Sequence, residues 1–382
     1  MKSSEILRLL LDHARTSQAI RRMNFFQRSA LVLLTAAPAI IFSGCATRPG
    51  TISERKGDEI VVAGKFIHTG TRVVTWMDPG GYDAYRTERR FAPFEESDFA
   101  TSKEKVKDLS SPARYNLRKA GLTTNEIERV RGGGWDLPAL QKVVDQFVLH
   151  FDVTGISRQC FKVLHDHRGL SVHFLLDVDG TIYQTLDLKE RAFHATTSNS
   201  RSIGIEIANM GAYSTKTNDV FSKWYRRNDN GTTDLIFQDW LKPESILTPN
   251  FVGHPARSEP VLGEVQGRKL WQYDYTPQQY EALTKLIATL CKTFPKMKCD
   301  YPRDADGNLI TRKLPDDELN NYEGVLGHYH VQTNKTDPGP ALQWEYLIKN
   351  ARRLMDPSDS PHQAVKLQTE NQSPKKSESG TH

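Results

Sequence analysis

"SVHFLLDVDGTIYQTL", residues 171–186, decides how the rest of this chain is read. Two apolar runs flank Asp179-Gly180, and an Asp-Gly pair between such runs is the strongest short-range signal for a β-hairpin. Working backwards, "FVLHF" (147–151) reads as a buried strand that carries His150 into the loop "DVTG", and "ALQKVVDQ" before it reads as a helix. "SRQCFKVLHDHRG" (157–169) has Ser157 as an N-cap and Gly169 past its end, which predicts a short helix. Working forwards, "SIGIEIAN" (202–209) is a further strand. "YTPQQYEALTKLIATLCK" is the best helix of the chain, with Thr276 as N-cap, Pro277 at the first helical position and Gln279 completing a capping box. Leu283, Leu286, Ile287 and Leu290 then share one apolar face. Strands interleaved with helices predict an α/β (α+β) domain.

Around this body, "DEIVVAGKFIHTGTRVVTW" (58–76) reads as two strands joined at "HTGT", and residues 59–138 as an N-terminal extension of unassigned role. Residues 211–274 are polar, aromatic and turn-rich, and read as a long insertion rather than core. The end of that segment, "PVLGEVQGRKLWQYDY", offers a hairpin. The tail 357–382 has no hydrophobic pattern and is expected to be disordered.

At 382 residues the chain has room for a sizeable core. Its 51 Lys and Arg against 46 Asp and Glu leave a net +5, which tolerates an anionic surface but lacks the charge density of a nucleic-acid binder. The N-terminus says more. "RRMNFFQRSALVLLTAAPAIIFSGC" has basic residues, a short apolar run and then small residues before Cys45, the pattern of a secretion signal. "FSGC" resembles the lipobox of bacterial lipoproteins, with Phe42 where an aliphatic residue is more usual. That resemblance implies a signal peptide over 1–44, lipidation of Cys45 and a tether over 45–58. Ala46 after the cysteine, rather than Asp, implies sorting to the outer membrane where the cell has one, facing the periplasm of a bacterial cell envelope. Of the other cysteines, Cys160 reads as a small buried hydrophobe, while Cys291 and Cys299 close a loop short enough for a local disulfide in an oxidising compartment.

Twelve histidines require selection. His165 and His167, two apart on a helix, read as surface residues, and His173 as a packed strand residue. His150 differs, because it ends an apolar strand where a ligand would be rigidly held. "VLGHYHVQTNKTDPGPALQW" (325–344) is too irregular for a helix or a long strand, and it concentrates His328, His330, Lys335 and Asp337. Two neutral imidazoles and one carboxylate suit zinc with a fourth position open to water. Such a centre needs a carboxylate to accept the proton of the attacking water and a cation for the developing oxyanion. Glu206, a lone acid in an apolar strand, and Lys335 fit those roles. On an extended segment His328 and His330 would point to the same side, so the residues alone leave both open.

"FVLHFDVTG", "SVHFLLDVDGTIYQ", "RAFHA", "NSRSIGIEIAN", "YTPQQYEAL" and "GHYHVQTNKTDPGPAL" occur in the order seen in the type-2 N-acetylmuramoyl-L-alanine amidases, which this chain resembles over roughly 140–350. The family comprises zinc hydrolases related to phage amidases and peptidoglycan recognition proteins. The resemblance implies a central mixed β-sheet flanked by helices, an amidase domain over 139–356, and peptidoglycan or muropeptides as substrate. It also implies His150, His328 and Asp337 as ligands of Zn2+, Glu206 as general base, Lys335 as oxyanion stabiliser and His194 as a substrate-binding residue of the cleft. Phe193 stands where the family often has tryptophan, and Val172 where some relatives carry a catalytic tyrosine. A non-catalytic recognition module, or a zinc amidase acting on another amide, are the alternative readings. The insertion is expected to form a lip over the cleft.

Overall fold

The computed structural model describes residues 52, 54–98, 114–241, 245–356 and 364–371. The segment expected to be a signal peptide, Cys45 and most of the expected tether lie outside the described residues. In chain order the elements begin with β1 (Glu59–Val62), β2 (Lys65–His68), β3 (Val73–Thr75), β4 (Tyr115–Leu117), α1 (Thr124–Arg131), α2 (Leu137–Val143) and β5 (Gln146–Phe151). Next come α3 (Ser157–Phe161), β6 (Phe174–Leu176), β7 (Ile182–Gln184), β8 (Glu190–Ala192), β9 (Ser202–Ile207), β10 (Ala212–Tyr213), α4 (Asp219–Trp224), β11 (Tyr225–Arg227) and β12 (Thr233–Leu235). The chain continues through β13 (Val261–Val265), β14 (Arg268–Gln272), α5 (Pro277–Thr293), α6 (Asp316–Asn321), β15 (Gly324–Gly327), α7 (His328–Val331) and α8 (Trp344–Met355). Among the described residues no helix is long and apolar enough to cross a membrane.

Six strands form a central mixed sheet in the order β15-β5-β9-β6-β7-β3. β15, β5, β9 and β6 run parallel, the Asp179-Gly180 hairpin turns β7 antiparallel to β6, and β3 closes the edge parallel to β7. A parallel strand in the sheet interior is covered on both faces, so it reads as an unbroken apolar run rather than an alternation. Phe147, Val148 and Leu149 of β5 are accordingly all buried. The helix α5 lies against the sheet in the main core, after a start in which Thr276 accepts from the Gln279 amide and the Gln279 side chain accepts from the Thr276 amide. Leu283, Leu286, Ile287 and Leu290 are at most 1% exposed, and each such burial stabilises the fold by about 1.5–3 kcal/mol.

Three expectations are corrected here. The run 58–76 holds three strands, because the β1–β2 hairpin turns at Ala63-Gly64, both at positive φ, rather than at "HTGT". No Asn-Gly or Asp-Gly marks that turn; the Asp187 carboxylate instead accepts from the Ala63 and Gly64 amides at 2.8 Å each. The insertion 211–274 also contributes to the core. Its β10-β14-β13 sheet and β11-β12 hairpin bury Val265 and Leu270 in the main core and Phe221, Trp224 and Tyr225 in a second aromatic cluster. Residues 364–371, expected to be patternless, pair with the body instead: Gln368 exchanges two hydrogen bonds with Gln343, and the Asn350 side chain donates to the Val365 carbonyl.

Candidate metal centre and catalytic cleft

Strand register assembles the site. Leu149 of β5 pairs with Gly327 of β15, and His150 with Glu206 of β9, so His150, Glu206 and His328 all emerge at the carboxyl ends of three adjacent parallel strands. That edge of an open α/β sheet is where ligands usually bind. The segment after β15 is a helical turn rather than extended chain, so His328 and His330 diverge. His328 turns to His150, whereas His330 is buried elsewhere, its Nδ1 accepting from the Gly327 amide and its Nε2 donating to the Ile310 carbonyl.

His150 Nδ1, His328 Nδ1 and Asp337 Oδ2 lie 2.9 Å from one another, all three residues being buried. His328 Nε2 faces the Gln332 side-chain oxygen at 2.7 Å. That oxygen accepts the Nε2 proton, so in the neutral imidazole His328 Nδ1 is the lone pair. A proton on His150 Nδ1 could bridge to Asp337, yet His328 Nδ1 would still face the carboxylate with no proton between them. A cation held by the three atoms removes that conflict, and two imidazoles with one carboxylate are the donors zinc takes in catalytic sites. Burial, with His328 alongside, pushes the His150 imidazole down to about 4, so it is neutral at physiological pH as a ligand must be. Burial works upward on Asp337, but the two histidines more than offset it and hold the carboxyl below its ordinary range.

These residues open into a cleft of about 250 Å3, which Glu206, Lys335, His194, Phe193 and Arg168 also line. The Glu206 carboxyl makes no hydrogen bond among the described residues, and burial together with Asp337 and Asp152 raises it well above the usual carboxylate range. The far wall is the π-helical turn 162–167 that continues α3. None of the described residues of 211–274 lines the cleft, so they do not form the expected lip. Its end braces the loop of Asp337 from behind, where Gln272 Nε2 and the Tyr275 hydroxyl both donate to the Pro338 carbonyl and the Ala341 amide donates to Gln272 Oε1. Gly339 sits at φ +81°, and a Cβ there would lie 2.1 Å from Gln272 Oε1. No other residue fits both that backbone and that contact.

Some residues behind the site carried little or no sequence signal. Arg118, from the extension, is fully buried and forms no ion pair with a carboxylate among the described residues. It donates to the carbonyls of Leu188, Asn199, Ser200 and Ser202 beside His173, whose Nε2–H donates to the Glu190 carbonyl, and burial lowers its guanidinium to about 9. His173 Nδ1 accepts from the Gly204 amide, which fits the reading of a packed residue. His165 is buried rather than exposed, because the π-turn carries it inward to Asp166 and to the Arg86 carbonyl. Gln332, four residues after His328 on one helical turn, had a spacing that could have revealed it. Cys160 is buried, as read, while Cys291 and Cys299 face each other as two thiols rather than as the expected disulfide.

Two histidines and an aspartate converging beside an uncommitted carboxylate and a lysine are the equipment of an amide hydrolase. Residues 140–340, just over half of the chain, match the family model of the N-acetylmuramoyl-L-alanine amidases, and the chain belongs to that family of peptidoglycan amidases. No curated protein sequence matches it. Among solved structures it is similar to the endolysin N-acetylmuramoyl-L-alanine amidase LysCS of Clostridium intestinale URNW, at 16% identity over 55% of this chain and 83% of that one, with a TM-score of 0.27. It is also similar to AmpD, at 17% identity over 63% and 89%, TM-score 0.27. A third is AmiD of E. coli, solved in complex with the substrate anhydro-N-acetylmuramic acid-L-Ala-D-gamma-Glu-L-Lys, at 16% identity over 54% and 57%, TM-score 0.30. Resemblances this loose add nothing to what the family match establishes.

Proposed function

We infer that this protein hydrolyses the amide between N-acetylmuramic acid and L-alanine in peptidoglycan or muropeptides, with Zn2+ held by His150, His328 and Asp337. The observation that carries this reading is the meeting of those three donor atoms at 2.9 Å inside a family match that spans all three residues. Zinc bound there would polarise the scissile carbonyl and make water acidic enough to ionise near neutral pH. Glu206 takes a proton from the attacking water and returns it to the departing alanine nitrogen, a role that suits a carboxyl raised above its ordinary range. Lys335 offers its ammonium to the oxygen that gains charge as the carbonyl becomes tetrahedral. His194 lines the same cleft and is positioned to meet the substrate.

Incubation of the protein with purified sacculi, with and without a zinc chelator, tests this reading when the products are identified by mass. Free peptides beginning with L-alanine, absent with chelator and absent for Glu206→Ala, are expected. Sacculi bound but uncut would favour a recognition module, cleaved glycan strands would contradict both readings, and release of another acyl group would mean a different amide substrate. We further propose that Cys45 carries lipid and holds the enzyme in the cell envelope, at the outer membrane facing the periplasm. Fractionation with Cys45→Ala tests this, since the substitution should move the protein from the membrane to the soluble fraction; unchanged partition contradicts it.

A further inference from the structure

His194 has a second set of contacts, apart from those of a cleft-lining residue. Its Nδ1 lies 3.1 Å from His150 Nε2, and its Nε2 lies 3.2 Å from the Ser202 hydroxyl. The backbone that carries it is tied down, because Asn199 Oδ1 accepts from both the His194 and the Ala195 amides. The ring lies directly on the strand β9 at Gly204, where a Cβ would come within 2.4 Å of His194 Nδ1. Glycine in the middle of a strand normally weakens it, so its presence here marks a close approach that the fold preserves.

We propose that His194 is a positioning residue for the metal centre: it accepts the Nε2 proton of His150 and thereby turns the Nδ1 lone pair of His150 towards His328 and Asp337. The inference rests on the reading of those three residues as a metal site. It goes beyond that reading, because it gives His150 the same arrangement that Gln332 gives His328. In each case the remote ring nitrogen faces an acceptor, so the near nitrogen is left to bind. The chain continues outward, since His194 Nε2–H donates to the Ser202 oxygen. Arg118 donates to the Ser202 carbonyl. A cleft residue that only touched substrate would need neither the bare glycine beneath its ring nor the histidine at 3.1 Å.

The test is zinc affinity of the full-length protein, measured by competition with a chromophoric chelator, for wild type, His194→Phe, His194→Asn and Gly204→Ala. His194→Phe removes the acceptor, and loss of such a partner weakens metal binding by about 10–100-fold. His194→Asn puts a side-chain oxygen near the place of Nδ1 and should stay within about threefold of wild type. Gly204→Ala leaves the imidazole intact but displaces it, so it should weaken zinc in the same sense as His194→Phe. Thermal midpoints of the metal-free proteins separate these effects from loss of fold, which the asparagine variant would not rescue. Wild type binding zinc with His194→Phe binding equally tightly would overturn the proposal alone. A wild type that binds no zinc would remove the metal reading and this inference with it.

Discussion

β5 and the segment 114–118 both serve the same site, yet they do so by opposite means. β5 is a buried apolar run that delivers His150 directly, and its neighbours β15 and β9 deliver His328 and Glu206 by register. The segment 114–118 delivers nothing to the cleft. Of its two buried arginines, Arg118 holds four carbonyls, and so fixes the loop on which His194 stands. The parallel strands therefore supply the chemistry, and the extension supplies the geometry that keeps it in place. Substitutions on the two sides should fail differently.

The largest effect is expected on the chemical side. Glu206→Ala should lower kcat by about 10²–10⁴-fold while zinc content and thermal stability stay near wild type, because the carboxyl has no hydrogen bond to lose. The base must be ionised to work, and its pKa is raised, so in wild type kcat/KM should fall with acidity at a pH above the ordinary carboxylate range. A rate profile limited only in that ordinary range would break the assignment. On the supporting side, Arg118→Met should cost roughly 3–5 kcal/mol in chemical denaturation. It strands several buried acceptors at once, each costing about 1–3 kcal/mol when left unpaired and partly recovered by relaxation. A variant as stable as wild type would mean that the extension is dispensable.

The next two predictions lie closer to the boundary between the two roles. Gly339→Ala should lose about 1–3 kcal/mol through its positive φ and, by moving the loop of Asp337, should also weaken zinc binding. Zinc affinity unchanged alongside lost stability would separate loop from ligand. Asp166→Asn is the smallest of the four. Burial opposes ionisation of Asp166, but His165 and the amides of Arg90 and Phe91 outweigh it and hold the carboxyl below its ordinary value. A depressed folded pKa contributes stability above the unfolded value, and that contribution disappears as pH falls through the folded value. The variant should therefore cost about 2 kcal/mol at neutral pH, with the difference from wild type closing below about pH 4. A gap that persists into acid would show the carboxylate charge to be irrelevant.

The same contrast explains what could be read from the amino acids. The Asp179-Gly180 hairpin, the capping box at Thr276 and the apolar run 147–149 are local signals, each set by a few adjacent residues. The structure holds all three where the pattern placed them. The gathering of His150, His328 and Asp337 was legible through the family motifs. The divergence of His328 from His330 was not, because it depends on a single helical turn too short to have a period. Arg118 was illegible for a different reason. A buried arginine satisfied by carbonyls has no partner residue to covary in type or spacing, and composition alone places arginines at the surface. The inward turn of His165 and the bracing role of Gln272 are likewise tertiary. The first follows from a π-turn and the second from a hairpin folded back on the loop 337–341.

The central claim is that His150, His328 and Asp337 form one zinc site on which hydrolysis depends. Zinc titration of the metal-stripped protein and of Asp337→Ala, followed in the same samples by release of L-alanyl peptides from sacculi, tests it most directly. One zinc per wild-type chain, activity rising in proportion to occupancy, and neither binding nor activity in Asp337→Ala are the results expected. Full activity in stripped wild type, or a variant that binds zinc and cleaves as wild type does, would contradict it.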